Sequence, residues 1–523
     1  MTAIPPPASE RRGLRTFVVP LVLIWLLASL WSLATPVFAA PDENAHAAKA
    51  IAQVRGELVG HPQKGSRFPV VDLPDSYRYA PTIVCFAYQP TVPADCGVEL
   101  GVKTGTPWFD TWVSSYNPVY YWVIGWPSLV LPGSAGVYGM RLMSAFLCAV
   151  FLALAFQAAL ARRRSRWMPA ALAFLAAPMV VFLSGTISPQ GLEVASAAAL
   201  WAGLLRLLDS YSERVAGRGA SGRRRWTLWA VVVTAGAALA LGRASGPLWV
   251  VIIVVACLIM AGRASTVALF KDRRGWPWIG GLAVIGALSL GWTAFSGSGG
   301  GQASAADVPL VHGSFLGGAF AMIRNTPRFL EESAGVFGWL DTELPGLVYA
   351  VYFGAAAVLV VLAFGAADRR GRWTLIGVLV LATVIPVIVQ AASISSTGLI
   401  WQGRYGMFLY VGVLLVAGRV LSTSAPSLDS SSTRISIVII AMLAVFQVSA
   451  FVFALRRYVV GTAQHITQMV ANPQWQPPGT WPVLVVGMIV VEIAFSAWLV
   501  RHVVVKARPT SLDASGTAIA VDA

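Results

Sequence analysis

Runs of about twenty apolar residues recur along this chain, separated by short basic stretches or by longer stretches of mixed character. Each run is long enough to cross a hydrocarbon core of ~30 Å as a helix. Only helices and closed barrels satisfy their backbone in lipid, and these runs are far longer than barrel strands. The pattern predicts an all-α, polytopic transmembrane bundle of about twelve spans. They fall at roughly 16–38, 136–160, 168–186, 191–208, 226–242, 247–262, 277–296, 347–366, 373–393, 404–421, 435–455 and 481–503.

The polar breaks orient the bundle. Arg11, Arg12 and Arg15 precede the first span; Arg162, Arg163, Arg164 and Arg166 follow the second, and Arg223, Arg224 and Arg225 the fourth. Lys271, Arg273 and Arg274 follow the sixth, Arg369, Arg370 and Arg372 the eighth, and Arg501, Lys506 and Arg508 the twelfth. If every span crosses once, these clusters share one side, and the excess of Lys and Arg in cytoplasmic loops makes that side the cytoplasm. The expectation is a multi-pass protein of the cell membrane with both termini cytoplasmic. Residues 1–15 form a cytoplasmic segment, 16–505 the membrane domain, and 506–523 a small polar tail expected to be disordered. The long loops, at about 39–133, 297–346 and 456–480, then lie outside. Val37-Phe38-Ala39 resembles a signal-peptide cleavage site, although the preceding apolar stretch is longer than such peptides use.

Composition agrees. Hydrophobic residues make up 57% and charged residues 12%, against ~45–50% and ~25% in a soluble domain. The net charge of +15 does not imply nucleic acid, because the basic residues sit in clusters between spans without interleaved aromatics. Cys148 and Cys257 fall inside spans as small apolar residues. Cys85 and Cys96 share the first outer loop, where an oxidising compartment favours a structural disulfide between them.

Candidate chemistry gathers on the outer side. Pro41-Asp42-Glu43-Asn44-Ala45-His46 opens the first loop. On a helix, Asp42, Glu43 and His46 share a face, where they serve either as a general base or cation site or as a capped, solvated helix start. Asn117, Tyr120, Tyr121, Trp122 and Trp126 close that loop as an interfacial belt or a substrate guide. Ser184–Gly191 forms a tight turn with Glu193 just inside the membrane. Trp339 and Asp341 lie in the second loop, and Trp401, Gln402, Arg404 and Tyr405 lead into the tenth span. Arginine at the outer edge runs against the charge rule, so Arg404, Arg456 and Arg457 either bind phosphate oxygens or snorkel to headgroups. Glu492, mid-span, is a functional acid or a protonated, hydrogen-bonded one. No nucleotide loop, zinc signature or nucleophile elbow occurs at a convincing spacing.

Pro41-Asp42-Glu43 with His46, the Ser188-Pro189 turn, Arg243 with Gly246-Pro247-Leu248-Trp249, Gly338-Trp339-Leu340-Asp341 and Trp401-Gln402-Gly403-Arg404-Tyr405 resemble one family, domain of unknown function 2142. The similarity runs from about 16 to 480. That family is grouped with the C-type glycosyltransferases (GT-C), multi-span enzymes that take a sugar from a polyprenyl-phosphate donor on the outer face. The resemblance implies an inverting transfer to a cell-envelope glycan or lipid acceptor, in contact with membrane lipid. Asp42 or Glu43 would act as base or hold a divalent cation such as Mg or Mn, with His46 supporting the acid. Arg404 would stabilise the leaving phosphate; Trp339, Asp341, Gln402, Trp401, Tyr405, Asn117 and Arg243 would contribute to substrate binding. Where relatives carry an Asn-Pro-Asp-like turn this chain has Ser188-Pro189-Gln190, which removes any catalytic acid at 190. Two further classes stand beside this reading: a transporter or flippase of lipid-linked saccharides, and a non-catalytic envelope-assembly protein.

Overall fold

The computed structural model describes the chain apart from residues 1–7, 80–82, 103–104, 161–164, 218–221, 299–307, 425–428, 505–510, 513–517 and 520–523. Arg162, Arg163, Arg164, Lys506 and Arg508 of the basic clusters lie outside the described residues, as do the side chains of Arg11, Arg12, Arg223 and Arg224. Of the tail expected to be disordered, only Ser511–Leu512 and Ala518–Ile519 are described, as a short antiparallel pair.

The first long helix, α1 (Ala8–Ala34), leads into a loop that carries α2 (Glu43–Gln53), strands β1 (Val70–Asp72) and β2 (Trp108–Asp110), and α3 (Pro118–Gly125). The strands pair antiparallel, with Val71 opposite Phe109. Next come α4 (Gly133–Leu160), α5 (Trp167–Ala173), α6 (Pro178–Ser184), α7 (Pro189–Val215), α8 (Gly222–Gly242), α9 (Gly246–Lys271) and α10 (Trp276–Ser296). The second loop holds α11 (Phe315–Arg324) and α12 (Thr326–Gly335). It is followed by α13 (Gly346–Ala366), α14 (Arg369–Thr397), α15 (Met407–Ser424), α16 (Asp429–Val460), the short α17 (Ile466–Ala471) and α18 (Trp481–Val504).

Among the described residues, 11 helices are long and apolar enough to span a membrane, and α5 with α6 makes a twelfth span bent by 48°. The bend lies inside the run expected to cross straight at 168–186. Pro178 lacks an N–H and crowds the residue before it, so Ala177 turns to extended backbone (ψ 152) and the helix restarts at the proline. At the centre sits α7, buried over its whole spanning window and packed by α4, α8, α9 and α15. It starts at Pro189 with Ser188 Oγ accepting from the Gln190 N–H at 3.4 Å.

The long loops meet at one end of the bundle, held by Arg457 near the end of α16. That side chain is wholly buried and donates to the carbonyls of Phe86 (2.7 Å), Gln89 (3.1 Å) and Val92 (2.7 Å) and to Asp341 Oδ2 (3.0 Å). One guanidinium therefore fastens the first loop to the second with charge-assisted bonds worth ~1.5–3 kcal/mol each. Cys85 and Cys96 close a disulfide in the same segment. At the opposite end, Gln157 donates to the Gly13 carbonyl (3.2 Å), Arg166 to Thr433 Oγ1 (2.9 Å), and Ser165 bonds Ser422.

Candidate functional site

The site begins with an arginine inside a span. Arg141 of α4 is fully buried and gathers the orphan carbonyls at the C-terminus of α1: Ser32 (2.9 Å), Thr35 (2.5 Å) and Pro36 (2.7 Å). Its remaining donors grip both oxygens of Glu43 at 2.7 and 2.6 Å, and Glu43 also accepts from the Ile187 N–H at 3.0 Å. Glu43 is wholly buried with its lone pairs engaged. Its carboxylate turns to Arg141 while that of Asp42 turns to Arg404, so the two acids do not present the one face expected of them. What Glu43 does is fix where Asp42 stands.

Asp42 lies one residue before α2 in left-handed backbone (φ 64), and its side chain caps no helix N–H. It turns instead to Arg404, with Oδ2 3.3 Å from Nη2. About a third of Asp42 is exposed, whereas Arg404 is buried. Left-handed backbone costs a non-glycine residue on the order of 1–3 kcal/mol and concentrates at functional sites. Phe38 (φ 61), Tyr88 (φ 60) and Leu340 (φ 61) share the conformation and gather nearby: Trp339 donates to the Phe38 carbonyl at 3.1 Å and packs on Tyr88 at 5.6 Å.

Arg404 sits in the single 3-10 turn Gly403–Gly406 before α15. Glu332 of α12 receives the Gly403 N–H at 2.7 Å; burial raises its pKa, and the Gly403 N–H and Arg328 oppose the rise. Gly403 itself lies so close to the Phe329 carbonyl that a Cβ would fall 1.8 Å from the oxygen, so no larger residue fits.

Arg404 and Arg243, the latter between α8 and α9, both face the Tyr405 ring, at 5.5 and 5.1 Å from its centre. Trp401 packs edge-on to that ring at 5.6 Å. Arg243 is countered by Glu193 of α7 at 3.6 Å and neighbours Tyr116, whose hydroxyl pKa burial raises and Arg243 pulls back. His46 Nδ1 shares a hydrogen with the Tyr121 hydroxyl at 2.8 Å, and the ring lies 6.0 Å from those of Tyr116 and Tyr121. Burial, then Arg243, then Arg404 push its pKa down to about 3, so His46 is a neutral group. Several buried polar atoms here have no partner among the described residues: Trp401 Nε1, Gln402 Oε1, Arg404 Nε, Gln190 Nε2 and Glu193 Oε1. Each such atom costs ~1–3 kcal/mol unless a ligand or water reaches it.

Other expected site residues are committed elsewhere. Asp341 is buried and paired with Arg457, and Trp339 is tied to the Phe38 carbonyl. Asn117 caps α3 by accepting from the Val119 N–H at 3.1 Å. All three spend these polar groups on contacts within the protein, and Arg457 is wholly buried. A divalent cation at Asp42 and Glu43 does not fit, because Arg141 occupies one carboxylate and Arg404 attends the other. Among the described residues Glu57, His61 and Asp72 bring ligand atoms within 4.8 Å of one another, on the largely exposed part of the first loop. Glu492 is buried in α18 and accepts from Ser496 at 3.0 Å.

A bundle of 11 or 12 apolar spans with paired loops over one end defines a polytopic helical membrane protein. Residues 24–408 match the family described as "Predicted membrane protein (DUF2142)", and the chain belongs to that family. The match ends at the start of α15, short of the extent to 480 that the sequence motifs suggest. No curated protein matches the chain. Among solved structures it is similar to ArnT from Cupriavidus metallidurans, crystallised with undecaprenyl phosphate. That likeness is 13% identical, covers 95% of this chain and 78% of that one, and has a TM-score of 0.40.

Proposed function

We propose that this protein transfers a sugar from a polyprenyl-phosphate donor to a glycan or lipid acceptor of the cell envelope. Transfer takes place at the loop end of the bundle, which we read as the outer face of the cell membrane because the basic clusters fall at the other end. The observation that carries the proposal is a half-open carboxylate, Asp42, against a buried arginine, Arg404, with a second arginine, Arg243, on the same tyrosine ring. Two guanidiniums converging at a membrane edge suit a phosphate, which accepts from their planar donors bidentately.

In this reading the donor phosphate takes over the donors of Arg404 that Asp42 now uses, and Asp42 is freed for the acceptor. Its carboxylate removes the hydroxyl proton as that oxygen attacks the anomeric carbon from the face opposite the phosphate. The bond from the anomeric carbon to the phosphate oxygen breaks, configuration inverts, and the electron pair leaves on a lipid phosphate held by Arg404 and Arg243. Gln402 and Trp401 present their unpartnered Oε1 and Nε1 to the sugar hydroxyls. His46, neutral, holds the Tyr121 hydroxyl in place through their hydrogen bond and packs beside Tyr116.

The test uses the full-length protein in membranes, a panel of radiolabelled sugars on polyprenyl phosphate, and Asp42→Asn. Native protein should pass label into a glycan or lipid product, and Asp42→Asn should slow this ~10²–10⁴-fold at equal amounts of folded protein. Transfer at the native rate by Asp42→Asn would overturn the role of Asp42. Movement of labelled lipid across proteoliposomes without a covalent product would replace transfer by transport.

A further inference from the structure

At the end of the bundle away from Asp42, the termini of α4, α5, α7, α15 and α18 part around a cavity of about 350 Å³. It shares no residue with the site above. Most of its wall is apolar, from Ala158 and Ala159 of α4 to Leu205 and Leu415. Three arginines enter it: Arg206 of α7, Arg419 of α15 and Arg501 of α18, with Asp209 as the one acid in the lining.

The pairing of these charges leaves an excess. Arg419 Nη2 bonds Asp209 Oδ1 at 2.5 Å, and Arg206 reaches Glu213, which does not line the cavity, at 3.3 and 3.4 Å. Arg501 is exposed and has no ion pair among the described residues. Arg206 is only 5% exposed, yet its Nε, like that of Arg419, is buried without a partner. A buried guanidinium N–H beside an open cavity is a donor left for a ligand. With Glu213 counted, three positive charges meet two negative ones, an excess of one carried by Arg501, on greasy walls where spanning helices end. Small soluble anions have no use for those walls, and a neutral lipid leaves the charge uncompensated.

We infer that this cavity binds an anionic lipid, with its phosphate ester on Arg206, Arg419 and Arg501 and the start of its hydrocarbon chain along Ala158, Ala159 and Leu205. The volume falls at the small end of ligand pockets, ~300–1,000 Å³, enough for a headgroup and the first part of one chain. By holding five helix ends together from inside the leaflet, the lipid stabilises the end of the bundle that lacks the loop clasp of Arg457. The inference is independent of the transferase reading, since neither the residues nor the membrane face are shared.

The experiment takes full-length protein, delipidated in a neutral detergent, and adds phosphatidylglycerol, phosphatidylcholine or inorganic phosphate. Native mass spectrometry counts bound lipid, and thermal unfolding reads stabilisation. Phosphatidylglycerol should bind and raise the melting temperature; phosphatidylcholine and phosphate should do neither. Arg501→Gln, an exposed change with no ion pair to lose, should weaken phosphatidylglycerol binding on the order of tenfold. Ala159→Trp, which fills the cavity at unchanged charge, should abolish it. Equal binding of the two phospholipids, equal stabilisation by inorganic phosphate, or native affinity in both variants would each overturn the inference.

Discussion

Replacing Glu43 by alanine removes the one carboxylate that Arg141 touches among the described residues, at 2.7 and 2.6 Å, in surroundings where neither residue has any exposure. The arginine keeps its three bonds to the carbonyls of Ser32, Thr35 and Pro36, but its charge is left uncompensated. Breaking a buried pair in this way costs about 3–5 kcal/mol. With unfolding entropy of ~2.1 cal/mol/K per residue, the 523 residues give about 1.1 kcal/mol/K, so the loss lowers the melting temperature by about 3–5 °C. That figure is a lower bound, since membrane helices keep much of their structure on unfolding and release less entropy. Heating the detergent-solubilised protein and following the folded fraction by size exclusion measures it. Glu43→Leu with Arg141→Met, which removes both charges, should fall short of the sum of the single losses by ~1–3 kcal/mol. An unchanged melting temperature in Glu43→Ala, or single losses that simply add, would refute the framing role and return Glu43 to the chemistry.

Other consequences follow from neighbouring contacts. Asp341→Asn takes the countercharge from buried Arg457, so limited proteolysis should cut the segment 83–102 faster than in native protein; equal rates would show that the carbonyls hold it alone. His46 binds a proton only near pH 3 when folded but near its ordinary 6.5 when unfolded. The unfolded chain therefore takes up the proton first, and stability should fall as pH drops from 6.5 toward 3, by at most ~1.4 kcal/mol per pH unit. The slope should flatten in His46→Gln, and an identical slope there would contradict the burial. Cys85 and Cys96 close a loop over a separation of 11 residues, so Cys85→Ser with Cys96→Ser should cost about 3 kcal/mol; an unchanged melt would mean that Arg457 already fixes that loop.

The spans were legible because lipid imposes a single rule, apolar length, and every expected run except 168–186, which is bent and broken at Ala177, is a helix with shifted ends. The bend at Ala177 was signalled by Pro178, whose effect on the preceding residue is local, yet the unbroken apolar run around it hid the break. Arg141 was the missed signal at the site: an arginine well inside an apolar run must have a partner, and that partner is Glu43. The adjacency of Asp42 and Glu43 suggested a joint role, but left-handed backbone at Asp42, which nothing in the residue type announces, sends the two carboxylates to different arginines. Arg404 and Tyr405 were found by residue type and position, and Arg243 only through the family resemblance. Asp341, Trp339 and Asn117 carry polar groups too, and only their burial and partners reveal that those groups are already engaged.

The complete burial of α7 also bears on how the chain enters the membrane. It is among the two least apolar of the spans, and Glu193, Arg206 and Asp209 on it are all buried within the bundle. A nascent chain that released this helix directly into lipid would have to place those charges in hydrocarbon. Earlier-made α4 already offers one wall, while α8, α9 and α15 are still to be synthesised. Insertion of α7 is therefore coupled to assembly: the segment waits at the insertion machinery or against α4 until its later neighbours arrive. In a stalled chain ending just after α7, the polar positions of that helix should remain open to aqueous labelling, and in one extended through α9 they should be protected.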